Sequence, residues 1–148
     1  MIASLLDELA ASQLRIAAAM RRGTSAKTPQ AGEWSTAEVA AHLAASEREC
    51  FEPRIKAIAT GEGPHFDFYS NGGRDFSRIP LESSLEEWAA SRRRLIELVN
   101  GLAPAQLAMT GTHDLYGEVT IGRYLQIALD HDREHLNDLE RPTSAPAR

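Results

Sequence analysis

A chain of 148 residues, 43% of them apolar and 25% charged, is long enough to bury one hydrophobic core without disulfides or metal as staples. Its 16 basic residues are interspersed with 21 acidic ones for a net charge of −5, which disfavours any face that would neutralise a nucleic-acid backbone. The single cysteine, Cys50, cannot form an internal disulfide, no run approaches a membrane span, and the acidic, amphipathic start MIASLLDELAASQ is not a signal peptide; the expectation is a cytoplasmic protein with no membrane or nucleic-acid partner.

Four segments carry helical periodicity. In the first, residues 2 to 21, Leu5, Leu6, Leu9, Ile16 and Met20 recur at three- and four-residue intervals, and Gly23 follows as a stop. The second opens on a capping box of Ser35 and Glu38, with Trp34 placed to staple onto Val39. It starts near Thr36 and runs to about Thr60, kinked or broken near Glu49 because Pro53 lacks a backbone donor. Residues 61 to 82, GEGPHFDFYSNGGRDFSRIPLE, have no such period and read as a long crossover at the bundle end.

The third helix begins at Ser83 or Ser84, aligns Leu85, Trp88, Arg92, Leu95, Val99 and Leu102 on one face, and ends at Asn100-Gly101. A glycine-punctuated loop, residues 108 to 119, leads to a fourth helix capped by Thr120, whose inward stripe is Ile121, Tyr124, Leu125, Ala128, His131, His135 and Leu139. Arg141-Pro142 closes it, and residues 142 to 148 read as a flexible tail. Four helices with one long connection predict an all-α four-helix bundle.

Three histidines could converge in such a bundle. His42 lies about 9 Å into the second helix, whereas His131 and His135 lie about 13 and 8 Å from the end of the fourth. These levels match only if the two helices run antiparallel; a parallel pair would miss His42 by up to about 12 Å. A shared site therefore requires up-down-down-up order, and that order needs a long connection between the second and third helices, where the aperiodic stretch falls. An i, i+4 histidine pair with a third imidazole from a facing helix gives a facial nitrogen set with open positions, suited to Zn²⁺ or Ni²⁺ over the hard ions Mg²⁺ and Ca²⁺. Asp130, Asp132 or Ser46 could orient the rings. The alternative at this point is three hydrogen-bonded core histidines.

Other candidates carry less. His65 and His113, each in a loop, read as surface histidines. Arg92 interrupts an apolar face, so it either holds the carboxylate of a cosubstrate or packs its stem beside Trp88. Glu47 and Glu134 suit solvated or salt-bridged helix positions better than a general base, and Cys50 suits packing.

Trp34-Ser35 with EVAAHLAASE on the second helix, Gly111, His113 and Gly117 before the fourth, and GEVTIGRYLQIALDHDREHL within it resemble the DinB-like superfamily, the metal-binding four-helix bundles that include YfiT-type proteins. The resemblance implies a bundle over residues 1 to 141 in up-down-down-up order, with His42, His131 and His135 as metal ligands. It also implies a metal-dependent enzyme, a thiol S-transferase using a low-molecular-weight thiol or a hydrolase, acting on a small electrophile. The competing expectation is a non-catalytic, stress-related metal- or ligand-binding bundle. A residual apolar face would suit a homodimer.

Overall fold

The capping box forms as the sequence implies. In the computed structural model, which describes residues 2–23 and 33–140, Glu38 N donates to Ser35 Oγ (3.2 Å) while Ser35 N donates to the Glu38 carboxylate (2.9 Å). The helix they start, α2, spans Thr36–Ser46, and α1 before it spans Ile2–Arg21. Trp34 does not staple onto Val39; it packs on Ala41, Ala45 and Phe76, while Val39 joins a different cluster.

The break foreseen near Glu49 is a wide, π-helical turn over Glu47–Phe51, in which Glu52 N–H reaches back to Glu47 O. Pro53 sits in the first turn of α3, Glu52–Ala59, which continues the same rod, so its missing N–H and its ring fall where the wide turn has already interrupted the regular i→i−4 ladder. The long α4 spans Leu81–Asn100, two residues earlier than Ser83, and is followed by the short α5, Pro104–Leu107. The last helix, α6, spans Ile121–Glu140, with Arg123 N donating to the Thr120 hydroxyl at 3.0 Å. The predicted tail, 142 to 148, and the closure at Arg141-Pro142 lie outside the described residues.

Contacts between helices fix their directions. Glu8 with Arg133 and Arg15 with Glu140 make α1 and α6 parallel; Arg48 with Glu87 and Glu52 with Arg94 make the α2–α3 rod and α4 parallel. Arg21 at the end of α1 meets Glu82 at the start of α4, and His42 meets His135 while Phe51 meets Tyr124, so both remaining pairs are antiparallel. The order is up-down-down-up, with residues 61 to 80 crossing between α3 and α4. The exposed ion pairs mark register and add little stability.

The bundle is not wholly helical. β1 (His65–Phe66) pairs in parallel with β2 (Thr110–His113), which pairs antiparallel with β3 (Gly117–Thr120). Strands this short carry no alternation that could be read against a loop. Gly111 is required: a Cβ there would stand 2.8 Å from Pro64 O.

Apolar packing falls into two main layers, one around Leu9, Ile55, Leu95 and Leu125, the other around Ile16, Leu43, Trp88 and Leu136. Between them lies a polar layer. Arg92, 2% exposed, gives Nε and one Nη to Glu47 (2.7 and 3.0 Å), both Nη to Asp132 (2.8 and 3.2 Å), and a further bond to Leu9 O (2.8 Å). Those five bonds match the five N–H donors of a guanidinium. Burial alone would lower the Arg92 pKa, but Glu47 and Asp132 hold it above its ordinary value. The cosubstrate role foreseen for Arg92 therefore has no donor to serve it; nor does its head reach solvent beside Trp88, because the guanidinium, 5.3 Å from the Trp88 ring, is buried in a paired network.

Candidate metal centre

His131 and His135 stand one turn apart on α6 and face His42 on α2. The three Nε2 atoms form a triangle with sides of 3.1, 3.2 and 3.3 Å. Nitrogens about 2.0–2.1 Å from one ion at tetrahedral angles stand about 3.3 Å apart, so the donor set has the spacing of a transition-metal site. Among the described residues no carboxylate or thiolate joins this cluster as a fourth ligand.

The ring of His42 is held by a residue that periodicity could not single out. Asn71, in the crossover, directs its amide nitrogen to Tyr69 Oη (2.8 Å) and Ser46 Oγ (3.3 Å), which leaves Oδ1 to accept from His42 Nδ1 at 2.6 Å. Nδ1 of a neutral His42 then carries the proton, and Nε2 presents a lone pair to the centre of the triangle. Tyr69 in turn donates to Glu49 (2.9 Å), whose carboxylate Arg74 binds through two nitrogens (2.6 and 2.8 Å) and holds down to a pKa of about 2. Of the three residues expected to orient the rings, Ser46 acts through Asn71, Asp132 is engaged by Arg92, and Asp130 accepts from Gln126 (2.9 Å).

Electrostatics keep the triangle neutral. Burial, reinforced by His135 and His42, pushes the His131 pKa down to about 3; burial and then His42 bring His135 to about 4. Burial also lowers His42, opposed in part by the bond to Asn71. Three neutral imidazoles with lone pairs available are a ligand set at neutral pH.

A cavity of about 600 Å³ opens over His42 and His131. Its walls include Trp34, Phe51, Tyr69 and Tyr124, and Asp130 and Glu134 also line it. Cys50 lines it as a buried thiol whose pKa burial pushes up, in keeping with a packing role. His65 is exposed as expected, bonded to Thr112 and Asp114 (both 2.7 Å) away from the three histidines. His113 is not a surface residue: it is 5% exposed, belongs to β2, accepts from Leu115 N (2.9 Å) and lines the same cavity. Among the described residues no helix is long and apolar enough to cross a membrane.

Comparison with known proteins agrees with this architecture. A family model described as the DinB superfamily matches residues 1–139. Two proteins of Oceanobacillus iheyensis, OB0782 and OB0413, both named as candidate metal-dependent hydrolases, are 28% and 25% identical over 112 and 113 residues, or 72% and 74% of this chain. The matches span 63% and 65% of those relatives, less than two thirds of their length. YfiT from Bacillus subtilis, described as a probable metal-dependent hydrolase with an unusual four-helix bundle topology, superposes with a TM-score of 0.73 at 21% identity, covering 92% of this chain and 86% of that one.

Proposed function

The chain belongs to the DinB superfamily, and on that footing we propose that it is a metal-dependent enzyme that hydrolyses a small electrophilic substrate over His42, His131 and His135. The observation that carries the reading is an open triangle: three Nε2 atoms 3.1 to 3.3 Å apart, with no fourth protein ligand among the described residues, beneath a cavity of about 600 Å³. A structural site would be closed by a fourth side chain. Zn²⁺ or Ni²⁺ suits the all-imidazole set. When bound, such an ion supplies Lewis acidity and lowers the pKa of an entering water or thiol.

The chain's own residues supply the rest. Asn71 fixes the tautomer and aim of His42. Trp34, Phe51 and Tyr124 wall the cavity with rings that limit water around a bound substrate. Glu134, between the paired histidines on α6, and Asp130 line the cavity and are the nearest carboxylic residues to take up the proton of an attacking nucleophile. Thiol transfer is the second reading, favoured by cavity size: about 600 Å³ leaves room for a low-molecular-weight thiol beside a small electrophile.

Elemental analysis of the purified protein, with His131→Ala as control, tests the site. Near-stoichiometric transition metal that the substitution removes supports it; less than about a tenth of stoichiometry, unchanged by the substitution, refutes it. An ester and amide panel, run with and without added thiols on zinc- and nickel-loaded protein, separates hydrolysis from transfer.

A further inference from the structure

Away from the three-histidine triangle, the same cavity is lined by a cation that has no anionic partner among the described residues. Among the described residues several arginines meet carboxylates, including Arg15 with Glu140 and Arg94 with Glu52, and those that do not, such as Arg22, Arg78 and Arg93, are exposed to solvent. Arg54, on α3, is half-buried and lines the cavity; one Nη donates to Tyr124 Oη at 2.9 Å, and its guanidinium carbon lies 5.0 Å from the centre of the Phe66 ring. Among the described residues no carboxylate pairs with it, although the chain carries 21 acidic residues. At the cavity mouth Arg123 stacks 5.4 Å from the Tyr116 ring, also without a carboxylate among the described residues. A cation drawn partly out of water and left unpaired is costly unless an incoming anion completes it.

We propose that Arg54 is the specificity-determining residue of this cavity and binds a carboxylate carried by the substrate. Phe66 and the Tyr124 hydroxyl fix the guanidinium plane, leaving donors for the flat, two-pronged contact that carboxylates make. Tyr124 lies two turns before His131 on α6, about 10 Å along the helix axis. Taking that rise as the scale and allowing for the contact distances at each end, we place the carboxylate about four to six bonds from the reacting atom. The inference deepens the function proposed above and rests on it for where the reacting atom sits.

The test is a ligand ladder: ω-mercaptocarboxylates from mercaptoacetate to 8-mercaptooctanoate, each against the primary amide of equal length, titrated by calorimetry into zinc-loaded and metal-free protein. The carboxylate is expected to bind about tenfold or more tightly than its amide, with the preference greatest near the four- to six-carbon acids. Arg54→Met, which keeps the stem against Phe66, should bring that ratio to about one, and Arg54→Lys should retain part of it. A ratio near one in the unsubstituted protein, a ratio that survives Arg54→Met, or tighter binding of the equal-length phosphonate overturns the proposal. If the carboxylate preference persists while zinc adds nothing to thiol affinity, Arg54 keeps its role and the metal reading fails instead.

Discussion

Replacing Asn71 by alanine separates the triangle from its support. The Asn71 side chain is nearly buried, 4% exposed, and its Oδ1 is 2.6 Å from His42 Nδ1. Without that acceptor the His42 ring is free to turn or change tautomer, and metal binding must order it again. A buried N–H left without a partner costs about 1–3 kcal/mol, which sets the ceiling on the effect. Losing a residue that orients a metal-bound histidine typically weakens the site about 10- to 100-fold, or about 1.4–2.7 kcal/mol, within that ceiling. Zinc affinity by competition with a chromophoric chelator should therefore fall by one to two orders of magnitude in Asn71→Ala, by about this margin. Asn71→Asp keeps an acceptor at the same place and should bind zinc at least as tightly as the unsubstituted protein. An Asn71→Ala affinity within about threefold of the original would refute the reasoning, because a 2.6 Å contact to a ligand ring would then have no part in orienting it.

Three further outcomes are expected. Arg92→Met strands Glu47 and Asp132 in the interior and should cost about 3–5 kcal/mol in urea denaturation, with Glu47→Gln in the same background recovering part of the loss. The metal-free protein should lose stability in acid: an unfolded chain protonates His131 and His135 near 6.5, whereas the folded state resists to about 3 and about 4, so their contribution is complete above about pH 6.5 and disappears as pH falls through those values. Differential scanning calorimetry should show a melting temperature that declines below about pH 6.5 and declines less in His131→Ala; a flat profile from pH 7 to about 4 would contradict it. Gly111→Ala would drive a Cβ against Pro64 O at 2.8 Å, displacing β1 from β2 at a cost of about 1–3 kcal/mol, measurable as a lower denaturation midpoint.

Long periodic elements were legible in the amino-acid order because their apolar spacing repeats over many turns. The first helix matches residue for residue, and Pro53 announced an irregularity near the place where the wide turn lies. Matching the depth of His42 to His131 and His135 anticipated the antiparallel arrangement of their helices. What stayed hidden depends on contacts between segments without a period. Asn71 lies in a glycine-rich crossover, where nothing local distinguishes it from Ser70 or Gly72; only the folded path brings it to His42. Arg92 interrupts an apolar face, which was the available signal, but a polar residue on an inward face reads equally as a ligand-binding group or a buried ion pair until its partner, here Asp132, is known. His113 was missed because a four-residue strand looks like a loop.

The wide turn at Glu47–Phe51 also sets angular phase. A regular α-helix rotates about 100° per residue, so the twelve steps from His42 to Arg54 would leave the two about 120° apart around the rod, on different faces. One additional residue taken up in a π-helical turn absorbs about 100° of that rotation and leaves them about 20° apart. The interruption next to Pro53 is thus a one-residue gear shift: without it, α3 would carry Arg54 away from the cavity that His42 lines. An insertion of this kind lengthens the chain by a single amino acid, yet it changes which side chains share a chamber and does so without altering a loop or the order of the helices.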